Sequence, residues 1–172
     1  MQSGGSRPVA ADDGEQQQVG GRPDTPPPPA KKPALEGSER ENMANIPIGT
    51  SGEEKLLVGS DVAIDFLGME GARVLSTPHM IGYMERTCRN TVLPLLEPGY
   101  DTVGTHVNVA HLGATPMGMT VTFRAEVTGV KERRVEFRVE AWDEKEKIGE
   151  GTHERAIINV AKFATRLAEK KK

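Results

Sequence analysis

Residues 74–111 read VLSTPHMIGYMERTCRNTVLPLLEPGYDTVGTHVNVAH, and within this run a helical period gives way to a strand period. Thr77 precedes Pro78, and a hydroxyl residue followed by proline marks an N-cap with proline at the first helical position. Ile81, Met84, Cys88 and Val92 then recur at intervals of three, four and four, the pattern of one buried helical face, which predicts a helix from Pro78 to about Leu93. Pro94 and Glu97-Pro98-Gly99 end it. Beyond Thr102 the period becomes two, and Val103, Thr105, Val107, Val109 and His111 are expected on one inward face.

The strand period continues downstream. Met119, Val121, Phe123, Ala125 and Val127 alternate with Thr120, Thr122, Arg124, Glu126 and Thr128, so one side of this strand is buried and the other wet. Val135, Phe137, Val139 and Ala141 repeat the pattern against Arg134, Glu136, Arg138 and Glu140. The two strands flank a short turn at Lys131-Glu132, which lets their exposed Arg and Glu residues pair across an antiparallel ladder. A last strand from Ile148 to Val160 carries Gly149 and Gly151, which permit a bulge or a close backbone approach. A short helix with Phe163 and Leu167 is expected to follow. Upstream, Leu56, Val58, Val62, Ile64 and Phe66 predict an extended segment with order beginning near Glu54, and a loop from Gly68 to Ala72 leads back to Thr77. The fold class is therefore α+β: an antiparallel sheet wrapped around one long central helix, the hotdog arrangement. Its exposed strand edge invites pairing with a second copy.

Residues 1–45 are rich in Gly, Gln, Pro and charge, with prolines at Pro26 to Pro29, and hold almost nothing that could form a core. They are expected to be a disordered tail ahead of a domain at 46–172. The proline run favours polyproline II, which leaves open a role as an adaptor for an aromatic groove. Met43 offers an alternative start.

A chain of 172 residues has room for one core and a tail. The net charge of −3 gives no general electrostatic reason to expect nucleic acid as a partner. No apolar run approaches the roughly 20 residues needed to span a bilayer, so no membrane partner is expected. The single cysteine, Cys88, precludes an intrachain disulfide and falls on the apolar side of the helix, the position of an inert thiol in a reducing compartment. The first segment lacks the apolar core of a secretory signal, and Asp12, Asp13 and Glu15 argue against a mitochondrial leader. A cytoplasmic location is the expectation. There is no Walker A pattern, no dinucleotide G-x-G-x-x-G, no paired CxxC and no G-x-S-x-G elbow, while His153-Glu154 lacks the second histidine of a zincin; no metal is expected.

Glu85 lies eight residues beyond Thr77 among Met80, Ile81, Met84 and Cys88, and a carboxylate there needs an explanation. One is an ordinary helical ion pair with Arg89, four residues later. The other is that Glu85, partly desolvated, serves as a general base or as a nucleophile towards an acyl carbon. His111 alone reads as a hydrogen-bonded core residue, and Thr77 alone as a cap. Together they suggest acyl chemistry, with the helix start offering N–H donors to a carbonyl oxygen. Pro78 has no N–H, so His79 or Met80 would supply them.

Three separated segments carry a resemblance: Val74 to Cys88 (VLSTPHMIGYMERTC), Gly104 to Gly118 (GTHVNVAHLGATPMG) and Gly149 to Ile157 (GEGTHERAI). They resemble the fluoroacetyl-CoA thioesterase family of hotdog proteins, from about Val74 to Phe163. The resemblance implies a homodimer, hydrolysis of a short acyl-CoA thioester, and no cofactor beyond the coenzyme A of the substrate. It also implies a catalytic threonine, glutamate and histidine at Thr77, Glu85 and His111, with Gly104 and Arg155 lining the acyl pocket. Members selective for a fluorinated acyl group have a phenylalanine-bearing lid where this chain has Gly68-Met-Glu-Gly-Ala72, so that selectivity is not implied. Alternative readings are a non-catalytic acyl-CoA sensor or carrier, and an enoyl-thioester hydratase. Eight helical residues rise about 12 Å, too far for Thr77 and Glu85 of one chain to share a hydrogen bond. A site completed across a two-fold interface is the expected remedy.

Overall fold

The computed structural model describes residues 45–171, so the expectation of a disordered tail falls outside the described residues. Its elements are β1 (Ser51–Leu57), α1 (Thr77–Val92), β2 (Tyr100–His111), β3 (Thr120–Lys131), β4 (Arg134–Trp142), β5 (Lys147–Asn159) and α2 (Val160–Lys170), with short 3-10 turns at Glu70–Ala72 and Leu93–Leu95. The strands form one antiparallel sheet in the order β1-β3-β4-β5-β2, which leaves β1 and β2 at the edges. This is the hotdog arrangement of one long helix against a five-stranded sheet.

Alternation decides which side of the sheet meets the helix. Val121, Phe123, Ala125 and Val127 of β3, and Val135, Phe137, Val139 and Ala141 of β4, are all buried. Each large apolar side chain sequestered here contributes about 1.5–3 kcal/mol. The opposite face carries the expected cross-strand charges: Arg138 bonds Glu126 at 2.7 Å and Arg124 bonds Glu53 of β1 at 2.9 Å. The β3–β4 turn closes between Lys131 and Arg134, with Glu132 at a positive φ of 54°.

Four local expectations are corrected. The extended segment is shorter and starts earlier: β1 ends at Leu57, only an isolated bridge between Ala63 and Leu75 continues it, and Phe66 is 77% exposed. The chain there turns away from the sheet, held by Arg73, whose Nη2 donates to the Ser60 carbonyl at 2.8 Å and whose Nε donates to the Ile64 carbonyl at 3.3 Å. The N-cap of α1 is Ser76, which accepts from the His79 N–H, so Thr77 and Pro78 occupy the first two helical positions. The buried helical row is Met80, Met84, Thr87, Cys88 and Val92, with Ile81 at its margin, and Met80 and Met84 pack over Gly149 of β5. A Cβ on Gly149 would lie 2.7 Å from Met80 Sδ and 3.1 Å from Met84 Cε, so glycine sets the depth of the helix over the sheet.

The fourth correction concerns β2 and places the site. The β2–β5 ladder slips between Gly104 and His106, leaving Thr105 as an extra residue. Before the slip Thr102 and Gly104 face the helix, opposite Ile157 and Arg155; after it Val107, Val109 and His111 do so, opposite His153, Gly151 and Gly149. Val103 and Thr105 leave the inner face, and Thr105 instead donates to Glu154 Oε1 at 2.6 Å. Gly104 and His111 are an odd number of residues apart, so without the bulge they would lie on opposite sides of the sheet.

Candidate active site

Two polar clusters lie on the inner face of the β2–β5 pair, one at the N-terminus of α1 and one at its middle. The first joins Thr77 to His111. Because Ser76 takes the capping role, the Thr77 hydroxyl is free, and its Oγ1 lies 2.8 Å from Nδ1 of His111. The other ring nitrogen, His111 Nε2, is buried and has no hydrogen-bond partner among the described residues. A buried orphan of this kind costs about 1–3 kcal/mol unless something else engages it.

The second cluster surrounds Glu85. Arg89 does not pair with it; Arg89 instead holds Asp101 through Nε at 2.8 Å and Nη2 at 2.5 Å. That contact keeps the Asp101 carboxyl below the usual carboxylate range. Glu85 instead accepts from Arg155, whose Nη1 is 3.1 Å from Oε1 and 3.2 Å from the Glu85 carbonyl. Arg155 is 3% exposed, and Thr102 takes its other two nitrogens: Nε donates to Oγ1 and Nη2 to the carbonyl, both at 2.8 Å. Burial pulls its pKa down while the Glu85 carboxylate opposes the shift. The Glu85 side chain keeps 42% of its surface exposed, so the carboxylate is anchored on one side and open on the other. Gly104 makes room for it, since a Cβ there would stand 2.5 Å from Glu85 Oε1.

Of the sequence-predicted residues, the structure brings Thr77 to His111, and Glu85 to Gly104 and Arg155. The helix-start donors fare differently. The Met80 N–H closes the first intrahelical bond to the Ser76 carbonyl at 3.0 Å and its side chain is in the core, so it is not free for a substrate oxygen. The His79 N–H is held only loosely, 3.4 Å from Ser76 Oγ, while the His79 ring Nδ1 lies 2.7 Å from the same hydroxyl. Sequence reasoning missed Ser76, Thr102 and His153. The pair Ser76-Thr77 offered two hydroxyls for one cap, which was a visible ambiguity; Thr102 gave no local sign, because a bulge reverses its parity relative to His111, whereas the shared parity of His153 with Arg155 in β5 was a signal that could have found it. Cys88 is fully buried, and its thiol pKa is pushed up to about 12 by that burial. Among the described residues no group of three or more His, Cys, Asp or Glu side chains is arranged to hold a metal ion, and no helix is long and apolar enough to cross a membrane.

A helix laid on an antiparallel sheet, with an imidazole and a carboxylate at its flank, is the architecture of the hotdog thioesterases. The chain superposes with a TM-score of 0.67 on a solved structure of the fluoroacetyl-CoA thioesterase FlK, at 36% identity, covering 73% of this chain and 98% of that one. A thioesterase superfamily member from Thermus thermophilus gives a TM-score of 0.69 at 30% identity, covering 75% and 96%. A fluoroacetyl-CoA thioesterase of Streptantibioticus cattleyicolor is 45% identical over 101 residues, which are 59% of this chain and 73% of that protein. Residues 58–161 match the profile of the family described as fluoroacetyl-CoA-specific thioesterase, and the chain belongs to that family.

Proposed function

We propose that this protein hydrolyses the thioester of a short acyl-CoA, releasing the carboxylic acid and coenzyme A, at a site shared by two copies of the chain. The observation that carries the reading is the His111 ring: one nitrogen is fixed by Thr77, and the other is buried with nothing among the described residues of its own chain to engage it. Glu85 of the same chain is anchored further along the helix, about 12 Å of helical rise from Thr77. A second copy, docked through the β2 edge on a two-fold axis, supplies its Glu85 to this His111 and receives the reciprocal contribution.

In the reaction, Glu85 takes a proton from water as the oxygen attacks the thioester carbonyl, or attacks that carbon itself to give an acyl anhydride that water then hydrolyses to the free acid and Glu85. The His79 N–H at the helix start is the available backbone donor to the developing oxyanion, His111 delivers a proton to the departing thiolate sulfur, and Thr77 fixes the ring that does so. Gly104 and Arg155 shape the acyl end. Arg155 does so by holding Glu85. Coenzyme A enters as part of the substrate, and the chemistry needs no metal or redox group. Relatives have been solved with fluoroacetate and CoA and with acetyl-CoA, which supports a small acyl group. The loop before Thr77 exposes Phe66, Leu67 and Met69, which favours an apolar acyl group over any particular halogen. A buried free thiol and an acyl-CoA substrate fit a cytoplasmic enzyme.

Mixing the impaired Thr77→Ala and Glu85→Ala subunits tests the shared site. Recovery of thiol release in the mixture is expected, because one of the two sites in a mixed dimer keeps every group. No recovery overturns the shared site. A thiol-release screen over CoA esters of increasing acyl length tests the activity itself: binding without release identifies a sensor, and conversion of an enoyl ester without release identifies a hydratase.

A further inference from the structure

Beneath Glu85 lies a buried polar layer that the proposed reaction does not use. His153 sits on the inner face of β5, 3% exposed, two residues before Arg155. Its Nδ1 is 2.8 Å from the backbone carbonyl of His106, the first residue past the Thr105 bulge. A carbonyl only accepts, so Nδ1 carries the hydrogen. Nε2 then presents a lone pair, and it lies 3.1 Å from Arg155 Nη1, a group that only donates. The two contacts together allow one state of the ring: neutral, with the proton on Nδ1. Phe137 lies alongside, its ring centroid 6.4 Å from that of His153. The ring also borders the space reserved by Gly104, where a Cβ would lie 3.2 Å from His153 Cε1 and 2.5 Å from Glu85 Oε1.

Arg155 Nη1 is thus placed between His153 Nε2 and Glu85 Oε1, while Thr102 fixes the other two guanidinium nitrogens. We propose that His153 is a positioning residue for Glu85: as a neutral acceptor it sets the direction of Arg155 Nη1, and Nη1 sets the Glu85 carboxylate against Gly104. The inference rests on the reading of Glu85 as the catalytic carboxylate. It adds a pH-sensitive element, because protonation at Nε2 would turn the acceptor into a donor aimed at another donor and set a cation beside the guanidinium. The charged groups around the ring are Arg155, which opposes protonation, and Glu85 and Glu154, which favour it; burial opposes it most, and the net effect holds the His153 pKa below that of an ordinary histidine.

Two variants test this, with acetyl-CoA as the probe. His153→Phe keeps the ring's bulk and removes both polar contacts; His153→Gln can keep an acceptor towards Arg155 and does not titrate. His153→Phe is expected to lower kcat about tenfold or more with KM changed far less, the split expected when a group acts in the transition state rather than in binding. His153→Gln is expected to recover most of that kcat at neutral pH and to move the acidic limb of kcat to lower pH, a change that a purely structural role would not produce. If His153→Phe does not fold, His153→Gln carries the test alone. A Gln variant whose acidic limb coincides with that of the wild type overturns the proposal, as does a Phe variant with wild-type kcat. Glu85→Gln is run in parallel. If it is inactive while both His153 variants match the wild type, the positioning role falls and the thioesterase reading stands; if it is fully active, the role of Glu85 falls and the inference with it.

Discussion

Thr77 Oγ1 and His111 Nδ1 stand 2.8 Å apart although 34 residues of chain separate them, and two local features bring them together. Ser76 accepts the capping bond that would otherwise occupy the Thr77 hydroxyl, and the Thr105 bulge turns the end of β2 so that His111 faces the helix. Neither feature is costly by itself, yet without either one the hydroxyl and the imidazole would be directed elsewhere.

Removing the hydroxyl should therefore affect turnover much more than folding. Thr77→Ala is expected to lower kcat for acetyl-CoA by about 10- to 100-fold, the range for a lost orienting hydrogen bond, while Tm moves by no more than about 2 °C because the helix keeps its cap. Thr77→Ser should retain most of the activity. Steady-state kinetics and thermal unfolding of the two variants check this, and an inactive Thr77→Ser protein with unchanged Tm would remove the hydroxyl–imidazole contact from the mechanism.

Ser76 gives the converse result. Its side chain caps α1 and also contacts the His79 ring, so Ser76→Ala should cost about 1 kcal/mol of stability, the usual value of an N-cap. For a domain of this size that is a fall in Tm of about 3–5 °C. Ser76→Asp, which caps equally well, should restore it. A Tm unchanged in the alanine variant would show that Thr77 takes over the cap.

Gly104 reports on the carboxylate. A methyl group at that position would lie 2.5 Å from Glu85 Oε1 and 3.2 Å from Glu85 Cδ, so Gly104→Ala must push the side chain off Arg155. The expected outcome is at least about a tenfold loss in kcat, with far-ultraviolet circular dichroism unchanged because the backbone position lies at a sheet edge. A double variant with Glu85→Gln should lose no more than Glu85→Gln alone, since both substitutions act on one group. An additive loss would place the effect of Gly104 elsewhere.

Periodicity made the helix, the four strands after it and the identity of the β3 and β4 core visible, because the core residues of those two strands alternate with polar or charged ones. It failed where geometry departs from the ideal repeat. Thr105 is an ordinary strand residue, and nothing in its type announces that it is the extra one; the parity of Val103 and Thr105 was consequently misassigned while that of His111 came out right. Ser76 and Thr77 are both good caps, and only the hydrogen bond of one with His79 N–H distinguishes them. The Glu85–Arg89 spacing permits an ion pair, but Asp101 offers Arg89 two oxygens at once and Arg155 is already directed at Glu85 from across the sheet. Helical spacing cannot reveal such competition, because the winning partners come from β2 and β5.

Cys88 provides a test that does not involve catalysis. The thiol is completely buried, and burial raises its pKa from 9.0 to about 12. An unfolded chain loses the thiol proton near pH 9 while the folded chain keeps it until near 12, so in that window the unfolded state binds fewer protons and stability falls as the pH rises. The contribution is complete below pH 9 and has a slope of at most about 1.4 kcal/mol per pH unit within the window. Denaturant unfolding of the wild type and of Cys88→Ala between pH 8 and 10.5 isolates it: whatever the absolute stability of the alanine variant, its decline with pH should be shallower. Iodoacetamide at pH 9 should leave the native thiol largely unmodified and alkylate it quickly in denaturant, since the thiolate is the reactive form. Equal slopes for the two proteins, together with rapid native alkylation, would mean that the α1 face bearing Cys88 opens to solvent far more readily than its packing against the sheet allows.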